Sequence, residues 1–315
     1  MSQKISRRGF GLLSGSLVLG GLISGSLKTG AVQPFHRKGS PRLRLSLAAY
    51  SFRDYFKDAS HKRTKVAAES EQIDMFKFID YCADHNCDGA ELTSYYFPTD
   101  LSREYMLKIK HHAFMRGVAL SGTAIGNSFT SGAGEKRDRE VAGAKKWIDH
   151  AALMGLPHIR VFAGTLEKGQ EKEDAKKNVI ETLKECCGYA ADKGVFLGVE
   201  NHGGIVAEPD DLLDIIHAVE SPWLGINLDT ANFHTTDPYA DIEKCAPYAV
   251  NVQIKTEVHP KGKKTEPADF PRLLKILRGA NYQGYVALEY EAAEDPKTAV
   301  PRALEELSKL MLAGS

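Results

Sequence analysis

The feature that most constrains this 315-residue chain is a set of eight short apolar runs separated by amphipathic stretches with helical spacing. The runs cover residues 43–50, 89–92, 118–125, 158–164, 195–200, 224–229, 249–255 and 285–290. Continuous apolar runs that alternate with helices indicate a parallel sheet covered on both faces. Eight such units favour a closed (β/α)8 barrel, an α/β fold that commonly needs about 250 residues.

The stretches between the runs support the same fold. In SEQIDMFKFIDYCADHN, the apolar residues Ile73, Phe76 and Ile79 recur close to a 3.6-residue period. The order helix, glycine, apolar strand recurs in MRGVALSG, ADKGVFLGVE and NYQGYVALE. No glycine-rich dinucleotide fingerprint follows the first run, which weighs against a Rossmann fold. We therefore predict one catalytic domain over residues 40–315, a single TIM barrel.

The first 30 residues have a different composition. SRRGF, at residues 6–10, precedes an apolar stretch that is rich in Gly and Ser and has no acidic residue. A twin arginine before a moderately apolar segment is typical of a Tat export signal. The apolar part, roughly 17 residues long, is too diluted to favour a stable membrane span. We expect residues 1–30 to be a Tat-type signal segment of a bacterial periplasmic protein, with no stable membrane span in the mature form.

The charge of the chain is balanced, with 41 basic and 41 acidic residues. Nucleic-acid binding is favoured by a basic field, which this composition does not supply. We therefore predict no nucleic-acid partner, and we leave homo-oligomer formation open.

Polar side chains fall at the ends of the last four runs, where a TIM barrel carries its chemistry. Glu200 and Asp229 end the fifth and sixth runs, Gln253 and Lys255 lie near the end of the seventh, and Glu289 lies near the end of the eighth. One such acid alone could simply cap the next helix. Three acids on one rim repel each other unless a cation lies among them. The oxygen-rich set suits Mg²⁺ or Mn²⁺ best, with Zn²⁺ as a further possibility.

The motifs VENHGG, NLDTAN, VQIK and ALEYE resemble those of the xylose-isomerase-like TIM barrels called sugar phosphate isomerases/epimerases, from about residue 43 to the C-terminus. The resemblance implies a divalent metal held by Glu200, Asp229, Gln253 and Glu289. Gln253 departs from the epimerase pattern, which has His at this position, and an amide oxygen is a weaker ligand. Members of the family include isomerases, epimerases, dehydratases and lyases, so the resemblance constrains the reaction less than the fold.

The simplest reaction for such a site is proton transfer next to the carbonyl of a small carbohydrate, through an enediolate that the metal stabilises. Glu200 and Glu289 are the expected catalytic acids. If one removes the proton and the other returns it, the product is an epimer; if one does both, it is an aldose–ketose isomer. Two alternatives stay open: a metal-dependent lyase or dehydratase acting on a keto-sugar or glycoside, and a noncatalytic sugar-binding barrel.

Further polar residues near the strand ends are candidates for substrate binding. His202 and Lys255 are placed to orient substrate oxygens, and Arg160 to bind an anionic group or to form a salt bridge across the rim. The full set of candidates is His202, Lys255, Arg160, Glu91, Tyr50 and Glu257.

Overall fold

The computed structural model describes residues 33–60 and 65–314, and in this part of the chain the predicted barrel is confirmed. The strands are β1 (Arg42–Ala48), β2 (Gly89–Thr93), β3 (Ala119–Ala124), β4 (His158–Phe162), β5 (Phe196–Glu200), β6 (Leu224–Asp229), β7 (Ala249–Ile254), β8 (Glu257–Val258), β9 (Glu266–Pro267) and β10 (Gln283–Leu288). Eight of them pair in parallel and close a barrel in the order β1-β10-β7-β6-β5-β4-β3-β2. The expected Tat-type segment, residues 1–30, lies outside the described residues.

Helices cover the outside of the barrel, one between most pairs of successive strands. They are α1 (Met75–Asp84), α2 (Arg103–Met115), α3 (Glu135–Met154), α4 (Lys172–Lys193), α5 (Pro209–Val219), α6 (Pro238–Cys245), α7 (Phe270–Gly279) and α8 (Pro296–Ala313). The glycine predicted after a helix in ADKGVFLGVE is confirmed, because α4 is followed by Gly194 with a left-handed backbone. Gly155 follows α3 in the same conformation. Within the described residues, every helix is too short or too polar to cross a membrane.

Most strand boundaries differ from the predicted runs by one or two residues, and the last barrel strand matters most for the site. The last barrel strand begins two residues earlier than expected and ends at Leu288, so Glu289 lies just beyond it. The backbone N–H of Glu289 still donates to the carbonyl of Ile254 at 3.0 Å, which holds this residue against β7. The antiparallel pair β8–β9 was not predicted, because two-residue strands carry too few residues to show a period of two.

The interior of the barrel is polar, whereas its outer face is apolar. In β6, Ile226 and Leu228 are fully buried, and they alternate with the fully buried Asn227 and Asp229. Because side chains alternate across a strand, the apolar pair and the polar pair face opposite sides of the sheet. Asn227 contacts residues of β7 inside the barrel, so the apolar pair packs toward the helices. The sequence INLD thus supplies apolar side chains to the core between the sheet and the helices, and polar side chains to the inside of the barrel.

Candidate active site

The predicted strand ends meet at the carboxyl end of the barrel. Glu200, Asp229, Gln253 and Glu289 are exposed by 3, 0, 0 and 6%, respectively. Buried carboxylates need charged or hydrogen-bonding partners, since an unpaired charge in a protein interior is costly. The partners divide the rim into two halves, one around Glu200 and one around Glu289.

Glu200 lies at the end of β5 between three donors. Its Oε2 atom forms an ion pair with Nε of Arg160 at 2.9 Å. Its Oε1 atom accepts from Nδ2 of Asn232 at 2.9 Å and lies 2.8 Å from Nδ1 of His202. Burial favours the neutral acid, but Arg160 and His202 outweigh it and hold the pKa of Glu200 below its ordinary value. The same hydrogen bond raises the pKa of His202. Glu200 is therefore ionised at neutral pH.

Arg160 forms the salt bridge that was one of its two expected roles, and its binding of an anionic group stays a prediction. Its guanidinium donates from Nη1 to the carbonyl oxygen of Ile125 at 3.0 Å and lies 3.9 Å above the ring of Phe162. Burial opposes its charge, but Glu200 outweighs that effect and raises the pKa of Arg160. These contacts keep a fixed cation beside Glu200.

The second half of the rim surrounds Lys255, which follows β7 and is 5% exposed. Its Nζ atom lies 2.6 Å from Oε2 of Glu289 and 3.1 Å from Oδ2 of Asp229, and it also donates to Glu291. Burial opposes the charge on Lys255, yet the attraction of Asp229, Glu289 and Glu291 holds its pKa well above the ordinary value. One ammonium group therefore joins three carboxylates.

The acids of this second half are protonated more readily than Glu200. Burial raises the pKa of Glu289 to about 7, with Lys255 opposing and Glu291 adding to the shift. Burial likewise raises the pKa of Asp229 to about 6. Two carboxyl groups whose environments push their pKa values apart are suited to the roles of base and acid. By this rule the environment of Glu200 suits a base and that of Glu289 suits an acid, and their catalytic roles stay predictions.

Below the rim, four side chains form a closed ring of hydrogen bonds. Nε2 of Gln253 and Nδ2 of Asn251 donate to the two oxygens of Glu91, each at 2.6 Å. Nδ2 of Asn227 donates to Oε1 of Gln253 at 2.7 Å, and Nδ2 of Asn251 donates to Oδ1 of Asn227 at 2.8 Å. Because β2 and β7 are not neighbours in the barrel, the contact between Glu91 and Gln253 crosses its interior.

The ring fixes the orientation of the side chains of Glu91 and Gln253. Glu91 is fully buried and spends both oxygens on amide groups, so it positions Gln253. Burial raises the pKa of Glu91 to about 7, and Glu289 adds to the shift. Nε2 of Gln253 also lies 3.3 Å from Oε1 of Glu289, to which it donates. Gln253 thus presents its N–H groups, rather than its oxygen, to the carboxylates of the rim.

The glycine pair in VENHGG shapes the turn that follows β5. Gly203 and Gly204 have φ angles of 60° and 56°, a region that favours glycine. A Cβ atom on Gly204 would lie 2.3 Å from the carbonyl oxygen of Gly164. The turn can therefore pass close to the loop after β4, and it places the ring of His202 4.6 Å from that of Phe162. His202 remains half exposed at the mouth of the site, with its Nδ1 atom toward Glu200.

The last two predicted residues are Tyr50 and Glu257. Tyr50 lies near the rim, since burial raises its pKa and the charges of Glu291 and Glu289 add to the shift. Tyr50 follows β1 and packs near Tyr96, with ring centroids 6.4 Å apart, and under the guanidinium of Arg53. Glu257 lies in β8 and lines a groove formed with Phe270 and Arg302. Their predicted contacts with substrate remain predictions.

Four side chains of the site were missed in the sequence. Asn227 and Asn251 precede Asp229 and Gln253 by two residues, so strand alternation alone places them on the same inner face. Glu291 has the same spacing from Glu289. Asn232 lies in a loop, and no periodic signal identifies it. The missed residues are Asn227, Asn251, Glu291 and Asn232.

Comparison with known proteins places this barrel in a family. A family model described as "Xylose isomerase-like TIM barrel" matches residues 79–310. The chain belongs to this family, and the predicted resemblance is confirmed. A human protein named "Putative hydroxypyruvate isomerase" is 24% identical over 168 residues, which cover 49% of this chain and 60% of that protein. The match thus spans less than two thirds of the human protein.

Solved structures share the fold at low sequence identity. The 3-keto-D-glucoside 4-epimerase of Escherichia coli superposes with a TM-score of 0.65 at 18% identity, over 85% of this chain and all of that one. A barrel from Mycobacterium smegmatis in complex with magnesium gives 0.65 at 16%, over 86% and 97%. The IOLI protein, which binds a zinc atom, gives 0.65 at 17%, over 86% and 97%. At these identities the likeness shows the fold alone.

The rim of this chain does not fit the metal that its family implies. Among residues 33–60 and 65–314, no three His, Cys, Asp or Glu side chains are arranged to hold a metal ion. The ammonium of Lys255 lies between Asp229 and Glu289, and the oxygen of Gln253 is bonded to Asn227. The metal set of Glu200, Asp229, Gln253 and Glu289 therefore stays a prediction.

Proposed function

We propose that this chain is an isomerase or epimerase that transfers a proton next to the carbonyl of a small carbohydrate or hydroxy-keto acid. The observation that carries the proposal is the pair Glu200 and Glu289 at the carboxyl end of one barrel. Each is buried, and each is paired with a different cation, Arg160 or Lys255. The isomerases and epimerases among its relatives and structural neighbours support the same class.

The proposed chemistry uses the difference between the two acids. Glu200, kept ionised by Arg160, removes the proton from the carbon beside the carbonyl. Negative charge then develops on the carbonyl oxygen as the enediolate forms. Glu289, whose pKa is raised to about 7, returns a proton from the other side of the rim. Transfer to the opposite face of the same carbon gives an epimer. If Glu200 instead returns its own proton to the former carbonyl carbon, and the hydroxyl proton of the neighbouring carbon moves to the former carbonyl oxygen, the product is an aldose–ketose isomer.

The remaining rim residues would hold the substrate. His202 and Asn232 both bond Oε1 of Glu200 and lie at the open side of the site, where they can orient hydroxyl groups. If residues 1–30 act as the predicted export signal, an unphosphorylated substrate is favoured, because sugar phosphates are scarce outside the cytoplasm. Free ketoses, 3-keto-glucosides and hydroxypyruvate are therefore the first substrates to test.

Solvent exchange tests the proposal whichever product forms. The protein is incubated in D₂O with each candidate substrate, and deuterium at the carbon beside the carbonyl is measured by NMR. We expect exchange with the wild type and a loss of about 10²–10⁴-fold in Glu200→Gln and Glu289→Gln. Glu243→Gln, at an exposed position on α6, is the matched control.

The outcomes separate the alternatives. Exchange with an isomeric product supports the proposal, whereas release of water or an aglycone indicates the lyase or dehydratase. Binding without exchange indicates a noncatalytic sugar-binding barrel. Full exchange in Glu200→Gln would overturn the role given to this residue.

A further inference from the structure

The cation that lies among the acids of the second half of the rim is a side chain of the protein, the ammonium group of Lys255. The Nζ atom of Lys255 lies 2.6 Å from an oxygen of Glu289 and 3.1 Å from an oxygen of Asp229, and it also contacts Glu291. Lys255 and Asp229 are almost completely buried, so water screens the pair weakly. Two of these carboxylates belong to the metal set that the family resemblance implies.

The amide of Gln253 is turned so that it supports a lysine rather than a metal. Its Nε2 atom donates to Glu91 and lies within hydrogen-bond distance of Glu289. Its oxygen, the atom a hard cation would bind, accepts from Asn227. Turning the amide over would break these bonds, and it would also set its oxygen against the carboxylate of Glu91. The ring therefore holds the amide in its present orientation.

A divalent metal and this ammonium cannot share the same oxygens. Hard metals bind oxygen at about 2.0–2.6 Å, so the ion would occupy the space between Asp229 and Glu289. The ammonium of Lys255 already lies within 3.1 Å of both carboxylates. Two cations placed this closely repel strongly in a buried site.

We infer that the ammonium of Lys255 occupies the place of a divalent metal at this rim, so that Lys255 and the metal are mutually exclusive. Lys255 is then a positioning residue, which holds Asp229, Glu289 and Glu291 together without a bound ion. The inference deepens the proposed function and rests on it only for the claim that this rim is the reaction site.

Manganese binding tests the inference directly. The protein is stripped with a chelator and titrated with Mn²⁺, and the free ion is followed by electron paramagnetic resonance. We expect weak binding in the wild type and a new saturable site in Lys255→Met that is tighter by about tenfold or more, because the repelling charge is gone. Lys263→Met, at an exposed position between β8 and β9, should bind Mn²⁺ like the wild type.

Further variants keep the test decisive. Adding Asp229→Asn to Lys255→Met should abolish the new site. Tight, saturable Mn²⁺ binding by the wild type would overturn the inference even if Lys255→Met failed to fold. So would an unchanged or weaker affinity in a folded Lys255→Met.

The readout separates this inference from the proposed function. Tight binding of Mn²⁺ by the wild type removes the inference and leaves proton transfer standing with a metal. Full deuterium exchange in Glu200→Gln removes the proposed mechanism and leaves the ammonium in its place.

Discussion

The Nε atom of Arg160 and the Oε2 atom of Glu200 lie 2.9 Å apart, and both side chains are almost completely buried. Arg160→Met would leave the carboxylate buried without its cation. We expect the free energy of unfolding to fall by about 3–5 kcal/mol, measured by urea denaturation. Arg139→Met removes an exposed partner of Glu135 and should cost less than about 1 kcal/mol. Equal losses in the two variants would contradict the importance of the buried pair.

The raised pKa of Glu289 predicts a pH-dependent contribution to stability. The folded protein retains this proton up to a pKa of about 7, whereas the unfolded chain releases it near the ordinary value of about 4.3. Glu289 therefore lowers stability progressively as the pH rises between these values. We expect the stability of Glu289→Gln relative to wild type to increase over this range, by up to about 3 kcal/mol. Urea denaturation from pH 4 to 8 measures the difference, and a flat difference would contradict the shift.

The hydrogen-bonded ring makes a prediction about Glu91. In Glu91→Gln one of the two accepting oxygens becomes an amide NH2 group, and no set of amide flips restores all four bonds, because Asn251 donates to both Glu91 and Asn227 through one nitrogen. We expect its free energy of unfolding to fall by about 1–3 kcal/mol, the cost of one unsatisfied buried group. Glu91→Leu leaves two buried amide groups without an acceptor and should cost about 1–3 kcal/mol for each. Urea denaturation compares the two, and similar losses would contradict the closed ring.

The turn after β5 requires glycine for two separable reasons. Gly204→Ala forces a side chain into a positive φ and places its Cβ 2.3 Å from the carbonyl oxygen of Gly164. Gly194→Ala, at the end of α4, meets only the backbone cost, since nothing lies within 4 Å of its Cβ. We expect about 1 kcal/mol of destabilisation for Gly194→Ala and clearly more for Gly204→Ala, measured by thermal unfolding. Equal shifts would show that the loop after β4 moves away freely.

The fold could be predicted from the sequence because each apolar run indicates one buried strand, and the strand's own residues are enough to show it. The rim was predictable for a related reason: the carboxyl ends of parallel strands meet, so Glu200, Asp229 and Glu289 had to lie near one another. The orientation of Gln253 was not predictable. It depends on Glu91, which lies 162 residues away in the chain and across the barrel. Local spacing carries no information about such a contact.

The same limit applies to Lys255. Its position near the end of β7 suggested a contact with substrate, and the sequence carries no sign that its ammonium would turn toward Asp229 and Glu289. That choice depends on the charge balance of the assembled rim, where several acids compete for few cations.

The ring of Glu91, Gln253, Asn227 and Asn251 has a further consequence for the barrel as a whole. An eight-stranded parallel barrel is nearly symmetric about its axis, so its backbone hardly distinguishes one direction across the interior from another. An ionised Glu91 can only accept, and its two donors therefore set the order of every other bond in the ring. This gives the interior a fixed direction, because Gln253 and Asn251 of β7 both turn amide hydrogens toward Glu91 on β2. A flat substrate bound above the ring would contact an asymmetric polar surface. The two faces of the substrate would therefore be distinguished before any proton is transferred.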